Sequence, residues 1–232
     1  MTATAKRILF AASLLAGILL ISCKPQGPKT VAILGDSYST FEGFIPEGNA
    51  CWYNIGGRLP NNDVAAVEQT WWHMLCDSLG LELLLNESYS GATVCNTGPN
   101  GQDYTDRSYV NRLPACTALQ PDILFIFGGT NDSWLGVPVG EPKYSDWTEE
   151  DLKCFLPAFC KMISDALEQA PGTEIVNIVN SELSDEVTLG QAGVCEHYGV
   201  TCVMLHDIDK GWGHPSVEGM KAIRDQVIAA ME

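Results

Sequence analysis

Five short runs rich in valine, isoleucine and leucine recur along the chain, at 30–34, 81–86, 122–127, 174–179 and 200–205. Each has the length of a single strand, and most are nearly continuous in apolar character, as expected of strands buried on both faces. Between and after them lie segments of helical periodicity at 64–79, 106–118, 149–169, 185–198 and 217–231. Thr148 with Asp151 forms a capping box, Ser184 and Ser216 are N-cap residues, and Pro157 is expected to kink or interrupt its helix. Strands alternating with helices at this spacing require crossover connections. The expected fold is therefore a three-layer α/β sandwich, a parallel five-stranded sheet with helices on both faces.

The first 23 residues stand outside this rhythm. Lys6 and Arg7 precede an apolar stretch at 8–21, which is short for a membrane span of about 20 residues and fits an export signal. Leu20-Ile21-Ser22-Cys23 resembles a bacterial lipobox, which implies cleavage after residue 22 and lipid on Cys23. An ordinary signal peptide or an uncleaved anchor is the competing reading. The expected organisation is a signal at 1–22, a tether at 23–29 containing Pro25, Gly27 and Pro28, and one domain at 30–232. The expected location is the bacterial cell envelope, lipid-anchored, at the outer membrane or facing the periplasm.

The formal net charge is −16, and loss of Lys6 and Arg7 with the leader makes it more negative. Such a surface repels nucleic acid, so a neutral or uncharged small-molecule or glycan substrate is easier to reconcile with it. Nine cysteines are present, and lipidation of Cys23 leaves eight, an even number that in an exported chain points to some disulfides. No Cys-x-x-Cys or clustered Cys/His spacing appears, so no structural metal is expected, nor any cofactor. The Gly-rich loop at 96–102 lacks the phosphate-binding signature and receives no nucleotide role.

Chemistry concentrates where the apolar runs end. The first breaks at Gly35 and presents Asp36 and Ser37, which reads either as a capping serine or as a nucleophile at the ligand-binding edge of an open sheet. Gly91 follows the second run in Ser-Tyr-Ser-Gly-Ala-Thr, Asn131 follows the third in Gly-Gly-Thr-Asn-Asp, and His214 lies in Gly-His-Pro-Ser before the last helix. In this order the four blocks resemble the SGNH branch of the GDSL-type serine esterases. The resemblance implies Ser37 as nucleophile and His214 as base, with the backbone N–H groups of Ser37 and Gly91 and the Asn131 side chain forming an oxyanion hole. His206, at the end of the fifth run, is the rival base. Gly129 is expected to allow close backbone approach, and Asp132 to support its loop.

The family usually carries an aspartate three residues before this histidine, and here that position is Gly211. Asp209 or Asp207 could supply the acid by another route; alternatively, a backbone carbonyl orients the imidazole in a Ser-His dyad, which is the preferred reading. The irregular segment at 41–63, with Trp52 and Tyr53, reads as a wall of the site or as a plain loop. Trp134 and Trp212 are candidates for substrate contact, whereas Trp71 and Trp72 read as core. The implied activity is ester hydrolysis through an acyl-serine, with short O-acyl groups on carbohydrate ahead of lipid esters or thioesters. A weakly active or inactive glycan-binding lipoprotein is the alternative from another class, and Gly211 is its best argument.

Overall fold

The computed structural model describes residues 27–57 and 62–232. The expected signal at 1–22, the lipidation site Cys23 and most of the tether lie outside the described residues. The domain reads β1 (Thr30–Gly35), α1 (Trp71–Leu79), β2 (Glu82–Ser88), α2 (Tyr109–Thr117), β3 (Ile123–Gly128), α3 (Thr130–Leu135), α4 (Phe155–Gln169), β4 (Glu174–Val179), α5 (Asp185–Tyr198) and β5 (Thr201–Met204). A short hairpin follows, β6 (Lys210–Gly211) with β7 (His214–Pro215), and α6 (Val217–Met231) closes the chain.

The five expected strands form one parallel sheet in the order β2-β1-β3-β4-β5. Alternation along each strand divides the core. Ala32, Leu34, Leu124 and Ile126 pack under α2, α4 and α5, while Val31, Ile33, Ile123, Phe125 and Phe127 pack under α1 and α6. Both faces are thus covered, which explains the near-continuous apolar runs. The chain leaves β1 for β2 on one side and returns to β3 on the other. Between β1 and β3 lies the switch point where open α/β sheets hold their ligands.

Helix ends follow local signals where side chains supply them. Ser184 accepts the Val187 N–H at 3.4 Å and Ser216 accepts the Gly219 N–H at 3.2 Å, so α5 and α6 begin where expected. The Thr148–Asp151 box forms, with Thr148 N–H donating to Asp151 at 2.7 Å, but it closes only the 3-10 turn Asp151–Lys153. Extended Cys154 then separates that turn from α4, which places Pro157 in the first turn of α4, where a missing N–H costs nothing and no kink is needed. The expected helix at 64–79 is likewise divided: Val67–Gln69 is a 3-10 turn, and Thr70 caps α1.

The expected disulfides are absent among the described residues. Cys76, Cys95, Cys116, Cys154, Cys160, Cys195 and Cys202 are free thiols, and the Cys51 thiol donates to the Tyr53 carbonyl at 3.1 Å. Cys95, Cys116, Cys160 and Cys195 are buried and serve as small core residues. Burial pushes the Cys76 and Cys116 thiols up to about 11 and about 12, which keeps them protonated and unreactive.

Candidate active site

Ser37 sits just past β1 and is only 4% exposed. The turn carrying it is held by its own backbone and neighbours. Asp36, wholly buried, accepts the Tyr38 N–H at 3.0 Å; the Ser39 N–H donates to the Asp36 carbonyl at 3.1 Å; and the Thr40 hydroxyl donates to the Ser37 carbonyl at 3.0 Å. Burial pushes the Asp36 carboxyl up to about 7.

His214 comes to Ser37 from a separate piece of chain. The hairpin pairs Lys210 with Pro215 and Gly211 with His214 across a two-residue turn, Trp212-Gly213, with φ of 52° and 74°. Positive φ at both central residues is the requirement of a type I′ turn, which glycine meets freely and tryptophan adopts at a cost of roughly 1–2 kcal/mol. The turn is fastened from the Ser37 side. The Tyr38 hydroxyl donates to the Gly213 carbonyl, the Tyr53 hydroxyl to the Pro215 carbonyl at 2.9 Å, and the Asn62 amide to the same carbonyl at 3.0 Å. On its outer side Lys210 donates to Ser181 Oγ at 2.9 Å and pairs with Glu182 at 3.0 Å.

So held, His214 Nε2 lies 2.8 Å from Ser37 Oγ, and Nδ1 lies 3.1 Å from the Trp212 carbonyl. A carbonyl can only accept, so in the neutral ring Nδ1 carries the proton and Nε2 offers its lone pair to the serine hydroxyl. The strained Trp212 backbone therefore aims an acceptor at the ring, in keeping with the dyad alternative. The two candidate acids point elsewhere: Asp209 accepts from the Ser216 hydroxyl, and Asp207 meets His206 Nδ1 at 3.0 Å. His206 is exposed and its ring faces Asp207.

On the other side of Ser37, Asn131 opens α3 and its amide donates to the Ala92 carbonyl at 2.9 Å, tying it to the Gly91 loop. Asp132 latches the same loop by accepting the Val94 N–H at 2.9 Å and the Cys95 N–H at 3.4 Å; burial pushes its carboxyl up to about 6. Gly129 has φ 88°, and a Cβ there would stand 2.6 Å from the side-chain Nε2 of Gln191.

The aromatic residues divide between core and site. Trp71 and Trp72 are core, their indole N–H groups donating to Ser39 Oγ at 3.1 Å and the Ser39 carbonyl at 2.9 Å. Trp134 is 46% exposed and meets His214 edge-on at 6.1 Å, while Trp212 is 65% exposed at the turn. Trp52 lies flat on the His214 ring, with centroids 3.6 Å apart and planes within 8°. That stack, and the Tyr38, Tyr53 and Asn62 bonds to the hairpin, escaped the sequence reading; the only signal was two aromatics in the irregular segment after Ser37. Among the described residues, the linings of two cavities of about 650 and 440 Å³ do not include Ser37 or His214.

Comparison with known proteins places the chain by sequence and fold. The GDSL-like Lipase/Acylhydrolase family profile matches residues 29–231. The chain is 45% identical to a GDSL-like lipase candidate from Bacteroides ovatus ATCC 8483, covering 89% of this chain and 99% of that one with a TM-score of 0.86. It is 50% identical to another from Bacteroides uniformis ATCC 8492, covering 88% and 95% with a TM-score of 0.84. A family two carbohydrate esterase from Clostridium thermocellum, solved with cellohexaose, shares the fold at 17% identity, 88% and 64% coverage and a TM-score of 0.56. No curated protein matches the chain. With the profile spanning almost the whole domain, the chain belongs to the GDSL-like lipase/acylhydrolase family, a family of hydrolases.

Proposed function

We propose that this protein is a serine esterase that removes short O-acyl groups from carbohydrate through an acyl-Ser37 intermediate. The observation that carries the reading is the 2.8 Å contact between Ser37 Oγ and His214 Nε2 at the switch point of the sheet. Ser37 Oγ attacks the ester carbonyl carbon and its proton passes to Nε2, because the free alcohol is a poor nucleophile near neutral pH. The new oxyanion meets the backbone N–H groups of Ser37 and Gly91 and the Asn131 amide. Collapse expels the alcohol, which takes the proton from Nε2. Water then repeats the sequence, frees the acid and restores the serine. The Trp212 carbonyl holds Nδ1–H throughout, so the pair works as a dyad.

The carbohydrate preference is supported by the exposed indoles of Trp134 and Trp212 beside His214, since flat aromatic faces suit sugar rings. The carbohydrate esterase that shares the fold is in line with it. A screen of acetylated sugars and chromogenic esters of increasing acyl length tests this. Hydrolysis is expected to be fastest for acetyl esters and lost in folded Ser37→Ala; normal turnover by that variant removes Ser37 from the role.

For location, the proposal is a lipid anchor on Cys23 holding the domain at an envelope membrane. Mass spectrometry of the mature protein is expected to begin at a lipid-modified Cys23. Intact residues before it, or an unmodified thiol, would refute the anchor.

A further inference from the structure

Proton transfer from Ser37 to Nε2 leaves a full positive charge on the His214 ring. In the reading above, on which this inference rests, one oriented carbonyl meets that charge at the Nδ1 edge. Four aromatic groups surround the ring, and one lies on its face. Trp52 is stacked parallel at 3.6 Å; Tyr38 is tilted at 5.3 Å; and Trp134 and Tyr53 stand edge-on at 6.1 and 6.4 Å. Uncharged aromatic pairs prefer offset or edge-on arrangements, whereas an indole face laid over a ring that becomes cationic gains a cation–π attraction when the charge forms.

Trp52 is not a loose loop side chain. Its backbone N–H donates to Thr40 Oγ1 at 2.9 Å, and the same hydroxyl donates to the Ser37 carbonyl at 3.0 Å. Thr40 is wholly buried. A closed circuit results, running from the Ser37 carbonyl through the Thr40 hydroxyl, the Trp52 backbone and the stacked rings back to Ser37 Oγ. The nucleophile's own turn therefore sets where the indole lies, and the indole sets the plane of the imidazole.

We infer that Trp52 is a positioning residue for His214, holding the ring in the plane that aims Nε2 at Ser37 and favouring its protonated form through the indole face. Trp52 acts through the His214 ring. Its removal is expected to slow the chemical step while leaving substrate binding largely intact.

The test is steady-state hydrolysis of a chromogenic acetyl ester by the full chain and by Trp52→Leu, Trp52→Phe and Ser37→Ala, each checked for folding by circular dichroism and thermal melting. Trp52→Leu should lower kcat by about 5–30-fold, the scale of a cation–π attraction in a partly desolvated site. KM should stay within about twofold, and Trp52→Phe should recover most of the loss because it restores an aromatic face. If the leucine variant fails to fold, Trp52→Met takes its place against phenylalanine. An unchanged kcat in the aliphatic variant, a change confined to KM, or no recovery with phenylalanine overturns the inference while loss of turnover in Ser37→Ala leaves the esterase reading standing. Full turnover in Ser37→Ala overturns both.

Discussion

Ser37 and His214 meet at 2.8 Å, but different kinds of backbone bring them there. Ser37 lies just past a strand paired on both sides within the sheet, among residues that are almost wholly buried. His214 stands on a two-residue strand beside a strained turn, held by three side-chain bonds from Tyr38, Tyr53 and Asn62 and flanked by a largely exposed Trp212. The proposed nucleophile is placed by the whole fold, and the proposed base by contacts at the hairpin. Changes near the hairpin should therefore alter activity more than stability, whereas changes around the end of β1 should register in stability as well.

The largest effect should separate the two histidines. His214→Ala is expected to lower kcat by on the order of 10⁴–10⁶, as loss of a catalytic base does in hydrolases of this chemistry, with little change in melting temperature. His206→Ala, at the exposed pair with Asp207, should leave kcat unchanged. The reverse ranking in a kinetic comparison would reassign the base. Next comes Asn131→Ala, which removes an expected oxyanion donor and should cost about 10²–10³ in kcat. A variant within twofold of the parent would withdraw that role.

Around β1 the readout is stability against pH. Burial holds the carboxyls of Asp36 and Asp132 up at about 7 and about 6, while in the unfolded chain both ionise near 3.8. The folded state therefore keeps protons that the unfolded state has released. The contribution is full below about pH 4, declines as pH rises through the window to 7, and is lost above it. Thermal melts should show the parent less stable at pH 8 than at pH 5, and Asp36→Asn should flatten that difference by on the order of 1–3 kcal/mol. An equal slope in parent and variant would mean that Asp36 ionises normally.

The smallest expected effect lies in the segment leading into the hairpin. Asp209→Asn should leave kcat within about threefold, since its carboxylate serves the Ser216 cap, and Asp207→Asn should behave alike. Loss of a true triad acid typically costs about 10⁴ in kcat. A drop of that size in either folded variant would replace the dyad with a triad.

The same contrast explains how much of the molecule was legible in the sequence. The central strands β1, β3 and β4 could be read because burial on both faces leaves them nearly continuous in apolar residues, the edge strands β2 and β5 from short apolar runs, and α5 and α6 because Ser184 and Ser216 cap them as single residues can. Ser37, Asn131 and His214 fell at strand ends or before the last helix, where motif and topology coincide. The hairpin was not legible, since two-residue strands carry no period and Trp212-Gly213 is not the usual Asn-Gly turn. Nor was α3, six residues long, or the Trp52 stack, which depends on chain folded back from elsewhere. The even cysteine count misled because buried thiols also serve as ordinary core residues.

The central claim is that Ser37, activated by His214, becomes covalently bonded during turnover. Labelling the full chain with a fluorophosphonate and mapping the adduct by peptide mass spectrometry tests it directly. The account predicts one adduct on Ser37 in the parent, labelling slowed by orders of magnitude in His214→Ala, and none in Ser37→Ala. An adduct on a different residue, or undiminished labelling without the imidazole, would contradict it.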